Sequence, residues 1–248
     1  MINIKSQQEI EIMRQAGRVV AETLQEMARV VKPGLTTLQL DTIARRCIEK
    51  FEAQPAFLGY QGFPATICAS LNEEVVHGIP GSRLLKEGDI ISIDVGARLK
   101  GYYADAAATF PVGKISSQAE NLLEVTRNSL YRGIEKAVPG NRLYDISAAV
   151  QACAEAAGFS VVRTYVGHGI GSELHEEPQV PNFGSPGRGP LLEPGMVLAI
   201  EPMVNTGGWE VETKKDQWTV VTKDGSLSAH FEHTVAILQD GPEILTSF

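Results

Sequence analysis

Four carboxylates and one imidazole stand in this sequence where solvated residues are not expected: Asp94, Asp105, Glu201, Glu232 and His168. Asp94 and Glu201 end apolar, strand-like runs, Ile90-Ile91-Ser92-Ile93-Asp94 and Val197-Leu198-Ala199-Ile200-Glu201. Alternation in the first run puts Ser92, Asp94 and Gly96 on one face and Ile91, Ile93 and Val95 on the other. Arg98-Leu99-Lys100-Gly101 offers a turn into a second strand, Tyr102–Phe110, and a two-residue loop at Leu99-Lys100 would set Asp94 directly opposite Asp105. Opposed side chains have Cβ atoms about 4.5 to 5.5 Å apart, and like charges there repel. A cation between them reverses the sign. Carboxylates with an imidazole suit hard or borderline divalent ions, and four carboxylates offset the charge of two. Paired ions about 3.5 to 4 Å apart can clamp and activate a water for hydrolysis. Taken singly, each acid would be a solvated or capping residue, and His168, between two glycines, a turn residue. Together they point to a two-metal hydrolase.

A duplication would position them. Leu84-Leu85-Lys86-Glu87-Gly88-Asp89-Ile90-Ile91-Ser92-Ile93-Asp94 matches Leu191-Leu192-Glu193-Pro194-Gly195-Met196-Val197-Leu198-Ala199-Ile200-Glu201 at an offset of 107, and Pro33-Gly34 and Cys47 match Pro139-Gly140 and Cys153 at an offset of 106. His77-Gly78-Ile79 echoes His168-Gly169-Ile170. Two copies of about 110 residues are too long for a solenoid repeat and too few for a propeller. One domain over residues 1–248 is expected, with halves at about 4–113 and 114–246 packed about a pseudo-twofold axis. Asp94 then corresponds to Glu201 and Asp105 to Glu232, which brings all four acids to the seam. From His-Gly-Ile to Leu-Leu the second half is the longer, and the excess includes His175 within Ser172–Pro178. Long insertions in compact scaffolds are commonly functional.

The supporting elements are legible. Ser6-Gln7-Gln8-Glu9 has the form of a capping box. Ile10, Met13, Gly17, Val20, Leu24, Met27 and Val31 follow at helical spacing until Pro33-Gly34. A second helix from Thr36 carries Leu40, Ile43, Cys47 and Phe51 on one face, and strands follow around Thr66–Ala69, Ile90–Ala97 and Tyr102–Val112. The order returns with a helix from Ser116, the Pro139-Gly140 break, and a helix containing Ile146, Val150 and Cys153. At 43% hydrophobic and 21% charged residues, disorder is not expected. A net charge of −8 without clustered Lys and Arg argues against nucleic acid as a partner. No run approaches the ~18 to 20 apolar residues of a membrane span, and the amino end has no signal-peptide apolar core. Cys47, Cys68 and Cys153 fit neither a disulfide framework nor a Cys-based zinc site, so packing roles and a cytoplasmic location are expected.

Ser92-Ile93-Asp94, Ala104-Asp105, Gly167-His168-Gly169-Ile170-Gly171, Ala199-Ile200-Glu201-Pro202-Met203 and Phe231-Glu232-His233-Thr234 together resemble type I methionine aminopeptidase. The likeness runs from Ile4 to Leu245, with spacings of 11, 63, 33 and 31 between successive ligands. The resemblance implies the pita-bread fold, an α/β (α+β) architecture of two pseudo-twofold-related halves with antiparallel sheets covered by helices. It implies two divalent ions, for which Mn²⁺, Fe²⁺, Co²⁺ and Zn²⁺ all accept this ligand set. Asp94, Asp105 and Glu232 match the ligands of the second ion, with Asp105 and Glu232 bridging. His168 and Glu201 match the remaining ligands of the first, and Glu201 the acceptor of a proton from the water. His77 and His175 match non-ligand histidines that contact the scissile peptide and its tetrahedral intermediate. Tyr60, Phe63, Cys68 and Trp218 fall where the family builds its methionine pocket. Asn72 and Ser228 match a site that holds a monovalent cation in some members. The implied substrates are nascent polypeptide amino termini, with association with the ribosome left open, and a monomer is expected. His230 and His233 are assigned to structure or solvent.

Departures fall beside the site. Ala106-Ala107 stand where the family usually has Thr and a small hydroxyl residue, which removes a hydrogen bond to the ligand set. Phe57 stands where Cys is common, Phe63 where Tyr is, and Leu174 replaces an aromatic residue. No Cys/His-rich segment precedes the likeness, so a ribosome-docking module of that kind is not expected. Two rivals are a proline-specific aminopeptidase of the same fold, usually with a large additional amino-terminal domain, and a non-catalytic pita-bread binding protein, typically with substituted ligands. The resemblance also implies excision of Met only before a small residue. Residue 2 is Ile, bulky and β-branched, so Met1 is expected to stay. Mass spectrometry of the untagged protein tests this, and a mature chain beginning at Ile2 contradicts it.

Overall fold

A computed structural model describes residues 2–248. Its first half holds α1 (Gln7–Val30), α2 (Thr37–Lys50), β1 (Gln54–Pro55), a 3₁₀ turn (Tyr60–Gly62), β2 (Ile67–Leu71), β3 (Glu74–Val76), β4 (Ile90–Leu99) and β5 (Tyr102–Pro111). The second holds α3 (Ser117–Ile134), α4 (Leu143–Ala156), β6 (Ser160–Val161), β7 (Gly167–Gly169), β8 (Glu176–Val180) and β9 (Val197–Ile200). It continues through β10 (Met203–Asn205), β11 (Val211–Thr213), β12 (Val220–Thr222), β13 (Ser228–His230), β14 (His233–Leu238) and β15 (Gly241–Ile244). Ser6 caps α1 as expected: its hydroxyl accepts from Glu9 N while Ser6 N donates to Glu9 Oε2. Thr36 and Gln39 repeat the box on α2.

Two antiparallel sheets carry the architecture. In one, β4 pairs with β5 along one edge and with β1 and β2 along the other. The other runs β15-β14-β9-β7-β8. The apolar face of β4, Ile91, Ile93 and Val95, packs under Val20, Leu24 and Met27 of α1 and Leu40 and Ile48 of α2. Leu198 and Ile200 of β9 pack likewise under Leu130 and Ile134 of α3 and Ile146 of α4. Each helix pair thus shields the face of its sheet opposite the acids. On α2 the fully buried stripe is Leu40, Ala44 and Ile48, while Ile43, Cys47 and Phe51 are only half-buried, one step round from the expected face.

The backbone repeats its own bonding. Gly34 N donates to Leu85 O and Leu85 N to Leu35 O, and the same pair recurs as Gly140 N to Leu192 O and Leu192 N to Asn141 O. Gly88 N to Val112 O and Val112 N to Asp89 O recur as Gly195 N to Ile237 O and Ile237 N to Met196 O. The halves meet where residues 105–109 run antiparallel to residues 230–234. Glu232 N donates to Ala107 O at 2.9 Å and Ala107 N to Glu232 O at 3.4 Å. On either side, the Thr234 hydroxyl accepts from Asp105 N at 3.0 Å and reaches Asp105 O at 2.8 Å, and Thr109 does the same for His230 at 2.9 Å each. The pseudo-dyad passes between Ala107 and Glu232.

This register corrects three expectations. Asp94 faces Ala107, and Asp105 faces Gly96, so the two acids are diagonal neighbours rather than directly opposed. The turn residues are Lys100 and Gly101, with φ of 50° and 89°. A two-residue hairpin loop of the type with both central φ positive suits the strand twist, and Gly101 accepts that conformation while Leu99 stays in the strand. Second, Ile93 pairs with Ala108 as Ile200 pairs with His233, so Glu232 corresponds to Ala107, and Asp105 to His230. Between β9 and β14 the second half makes a long excursion through β10–β13, which shifts the correspondence and hides it from an ungapped comparison. Third, His168 pairs with Ala199 as Ser70 pairs with Ser92, so His168 corresponds to Ser70 and not to His77. His77-Gly78 lies outside β2, where Gly78 O accepts from Ala69 N. The excess that was measured from His77 around His175 shrinks accordingly.

Gly17 of α1 faces the Leu245 carbonyl, and a Cβ there would overlap it. Ala gains about 1 kcal/mol over Gly in a helix interior, whereas overpacking costs about 1 to 3 kcal/mol. The obstacle is backbone, which cannot rotate away. Gly17→Ala is expected to lose a net of up to about 2 kcal/mol, read as a lower urea midpoint, and a higher midpoint contradicts this contact.

Candidate metal centre

One cavity of about 170 Å³ is lined by eleven residues selected from the sequence, Tyr60, Phe63, Cys68, His77, Asp94, Asp105, His168, His175, Glu201, Trp218 and Glu232, while Asn72 and Ser228 lie outside it. β4 and β5 deliver Asp94 and Asp105, and β7 delivers His168. Glu201 and Glu232 stand at the ends of β9 and β14, where the strands open towards the seam. Gly167 and Gly169 flank His168 because a Cβ on either would strike the backbone of the neighbouring strands, at Ala199 and Glu177. They mark close strand packing rather than a turn. A larger cleft of about 540 Å³ between β5 and α3 holds none of the eleven.

Asp105, His168 and Glu232 each offer a ligand atom, all within 4.8 Å of one another. His168 Nε2 lies 3.5 Å from Asp105 Oδ2 and 3.6 Å from Glu201 Oε1. His168 Nδ1 is 2.9 Å from Gly169 O, which can only accept, so the ring proton sits on Nδ1 and the lone pair on Nε2 faces the acids. Asp94 Oδ1 is buried without a hydrogen-bond partner. Asp105 Oδ1 has the Thr234 hydroxyl at 3.0 Å, so the other half supplies a hydroxyl where Ala106 and Ala107 have none.

Burial pushes Asp94, Glu201 and Glu232 well above the usual carboxylate range, and the Asp105 charge adds to each. Burial also raises Asp105, to about 6. His168 is driven down to about 4 by burial, which keeps the imidazole neutral. Among the described residues no Lys or Arg pairs with any of the four acids. Four clustered carboxylates, one orphaned oxygen and a neutral imidazole with its lone pair inward make a donor set that fits divalent cations.

Beside the acids lies an apolar recess. Phe63 and Trp218 meet edge to face at 5.1 Å between ring centroids, with Cys68 packed against them. His77 is 6.4 Å from Trp218 and holds a φ of 60°, a conformation uncommon for a non-glycine residue. His175 Nδ1 is 2.8 Å from the Tyr60 hydroxyl, and the His175 ring is 4.3 Å from that of His168. Burial lowers His77 to about 4, and partial desolvation together with the neighbouring His168 brings the more exposed His175 to about 4 as well. The next residue, Glu176, anchors this segment: it accepts from Lys5 Nζ at 2.7 Å and Asn3 Nδ2 at 3.1 Å, with both charged side chains 4% exposed.

Sequence reasoning missed three lining residues. Phe57 and Leu174 were noticed only as departures, and both face the cavity. Phe57 fits because Gly96, beside Asp94 on the same strand face, has no Cβ to meet its ring. Gln61 carried one signal, the flanking Gly59 and Gly62, and has φ of 49° in the 3₁₀ turn.

Residues 11–239 match the model of metallopeptidase family M24. The methionine aminopeptidase of Clostridium acetobutylicum is 60% identical over 247 residues, covering 99% of each chain. The crystal structure of methionine aminopeptidase from Thermotoga maritima aligns over 100% of both chains with a TM-score of 0.98 at 50% identity. Prolidase from Pyrococcus furiosus, at 22% identity and a TM-score of 0.79 over 99% of this chain and 65% of that one, shares the pita-bread fold alone. With its ligand cluster, apolar recess and full-length likeness, the chain belongs to the type I methionine aminopeptidases of metallopeptidase family M24.

Proposed function

We propose that this chain is a dinuclear metalloaminopeptidase that removes the initiator methionine from nascent polypeptides when the second residue is small. The observation that carries this is one cavity in which a carboxylate–imidazole cluster adjoins an aromatic recess. Asp94, Asp105 and Glu232 would hold one ion and Asp105, Glu232, His168 and Glu201 the other, as Mn²⁺, Fe²⁺, Co²⁺ or Zn²⁺. Bound there, the ions supply Lewis acidity and a water acidified enough to attack at neutral pH.

The chain's own groups do the rest. Trp218, Phe63, Tyr60 and Cys68 receive the methionine side chain, whose flexible thioether suits aromatic walls. Glu201 takes up the proton released by the attacking water. His175 is neutral at pH 7. With the Tyr60 hydroxyl donating to Nδ1, its proton lies on Nε2, free to donate to the developing oxyanion. His77 contacts the scissile peptide from the side of Trp218. Residues 1–248 act as one catalytic domain of two halves, a monomer in the cytoplasm, on protein amino termini and not on nucleic acid. Among the described residues no helix is long and apolar enough to cross a membrane. A monovalent cation at Asn72 and Ser228 is supported by their adjacency, Ser228 N donating to Asn72 O at 2.9 Å, and by the unpartnered Ser228 Oγ.

Three assays of the same protein test this. Chelator-stripped protein is expected to lose release of Met from Met-Ala-Ser and to regain it with a divalent transition metal, while Met-Leu-Ser is cleaved poorly and Ala-Pro peptides not at all. Asp94→Ala and Asp105→Ala should each weaken metal binding, since each removes an anionic ligand. Full activity without metal sinks the reading. His175→Ala should keep its metals and fold while kcat falls on the order of 10²- to 10³-fold and KM moves less. A near-normal kcat returns His175 to a solvated loop.

A further inference from the structure

We propose that His230 is a positioning residue for Glu201: its Nε2–H donates to Glu201 Oε2 and fixes the plane of that carboxylate. This rests on the reading of Glu201 as metal ligand and proton acceptor. His230 is 2% exposed, and its Nε2 is a buried polar atom with no hydrogen-bond partner. Glu201 Oε2 lies 3.6 Å away. That is just beyond hydrogen-bond reach. The last torsion of a Glu side chain is broad, so a small rotation of the carboxylate closes the gap. A neutral imidazole has one donor and one acceptor nitrogen. Turned towards a carboxylate oxygen, the acceptor would set lone pair against lone pair, whereas the donor makes a charge-assisted bond.

His230 is delivered to this place by the same device that delivers a ligand. Thr109 clamps its backbone N–H and C=O as Thr234 clamps those of Asp105, across the dyad at Ala107 and Glu232. His230 is therefore the counterpart of Asp105 in the other half, pointed at the same seam. The Glu201 carboxylate lies between two imidazoles of opposite tautomer. His168, with its proton on Nδ1, offers a lone pair near Oε1. His230 offers a proton near Oε2. Ligands to metals are commonly oriented in this way by a hydrogen bond to their free atom.

The tautomer can be read in the parent protein. In the Zn²⁺-loaded enzyme, ¹⁵N-edited NMR of the imidazoles should show His230 protonated on Nε2, and protonation on Nδ1 alone overturns the assignment. Variants give a second readout. Calorimetric titration of metal-stripped protein with Mn²⁺ is expected to show His230→Leu binding about 10- to 100-fold more weakly, the range for loss of a ligand-orienting partner. His230→Gln, which restores a donor of similar reach, should recover most of that affinity, and kcat for Met-Ala-Ser should follow the same order with little change in KM. Parent-like Mn²⁺ affinity in His230→Leu overturns the proposal, and if that variant does not fold, the parent's tautomer decides. Parent protein that binds Mn²⁺ but cleaves no peptide counts against the peptidase reading and leaves both His230 readouts intact.

Discussion

Four carboxylates share one small cavity, and this mutual repulsion is the constraint on which the rest of the structure depends. Burial lifts all four acids, and the charge of Asp105 lifts the other three further. A lone chain segment would relieve such strain by turning the acids into water. Here they cannot turn, because each belongs to, or directly abuts, a strand whose opposite face is sealed under a helix pair. The apolar cores of the two halves therefore hold the acids together, and divalent cations are the natural counterweight.

Symmetry brings the acids together, and broken symmetry makes one centre of them. Only Asp94 and Glu201 are acidic at equivalent positions. Glu232 is equivalent to Ala107, Asp105 to His230, and His168 to Ser70. Two copies of the first half would also give four acids, but neither His168 nor the Trp218 wall of the recess. The Thr109 and Thr234 clamps keep the register from slipping. A slip of one residue would turn every acid to the wrong face.

Much of this was legible in the sequence because it is local. The capping box at Ser6, the helical spacing down to Met27 and the alternation around Asp94 each rest on a few adjacent residues. The clustered acids were legible because acids inside strand sequence are costly and so informative. What was not legible depends on partners far along the chain. Register turned on which residue of Leu99-Lys100-Gly101 accepts positive φ, a choice one residue wide. The true correspondences were hidden by the excursion between β9 and β14. Cys47 and Cys153 looked like packing residues and are only half-buried. Nothing near Lys5 announces a buried ion pair with Glu176, and nothing near Thr109 announces His230.

The Lys5–Glu176 pair ties the history of the chain to its chemistry. Lys5 precedes its partner by 171 positions. When the first half has emerged from synthesis it holds Asp94 and Asp105 alone, on a β5 edge whose N–H and C=O groups still lack the 230–234 segment. An unpaired strand edge invites any other strand. Only with the last tenth of the sequence do Glu232 and Thr234 arrive to close that edge. Until residues 230–234 dock, the β5 edge therefore stays open, and the four acids are brought together only when that segment is in place.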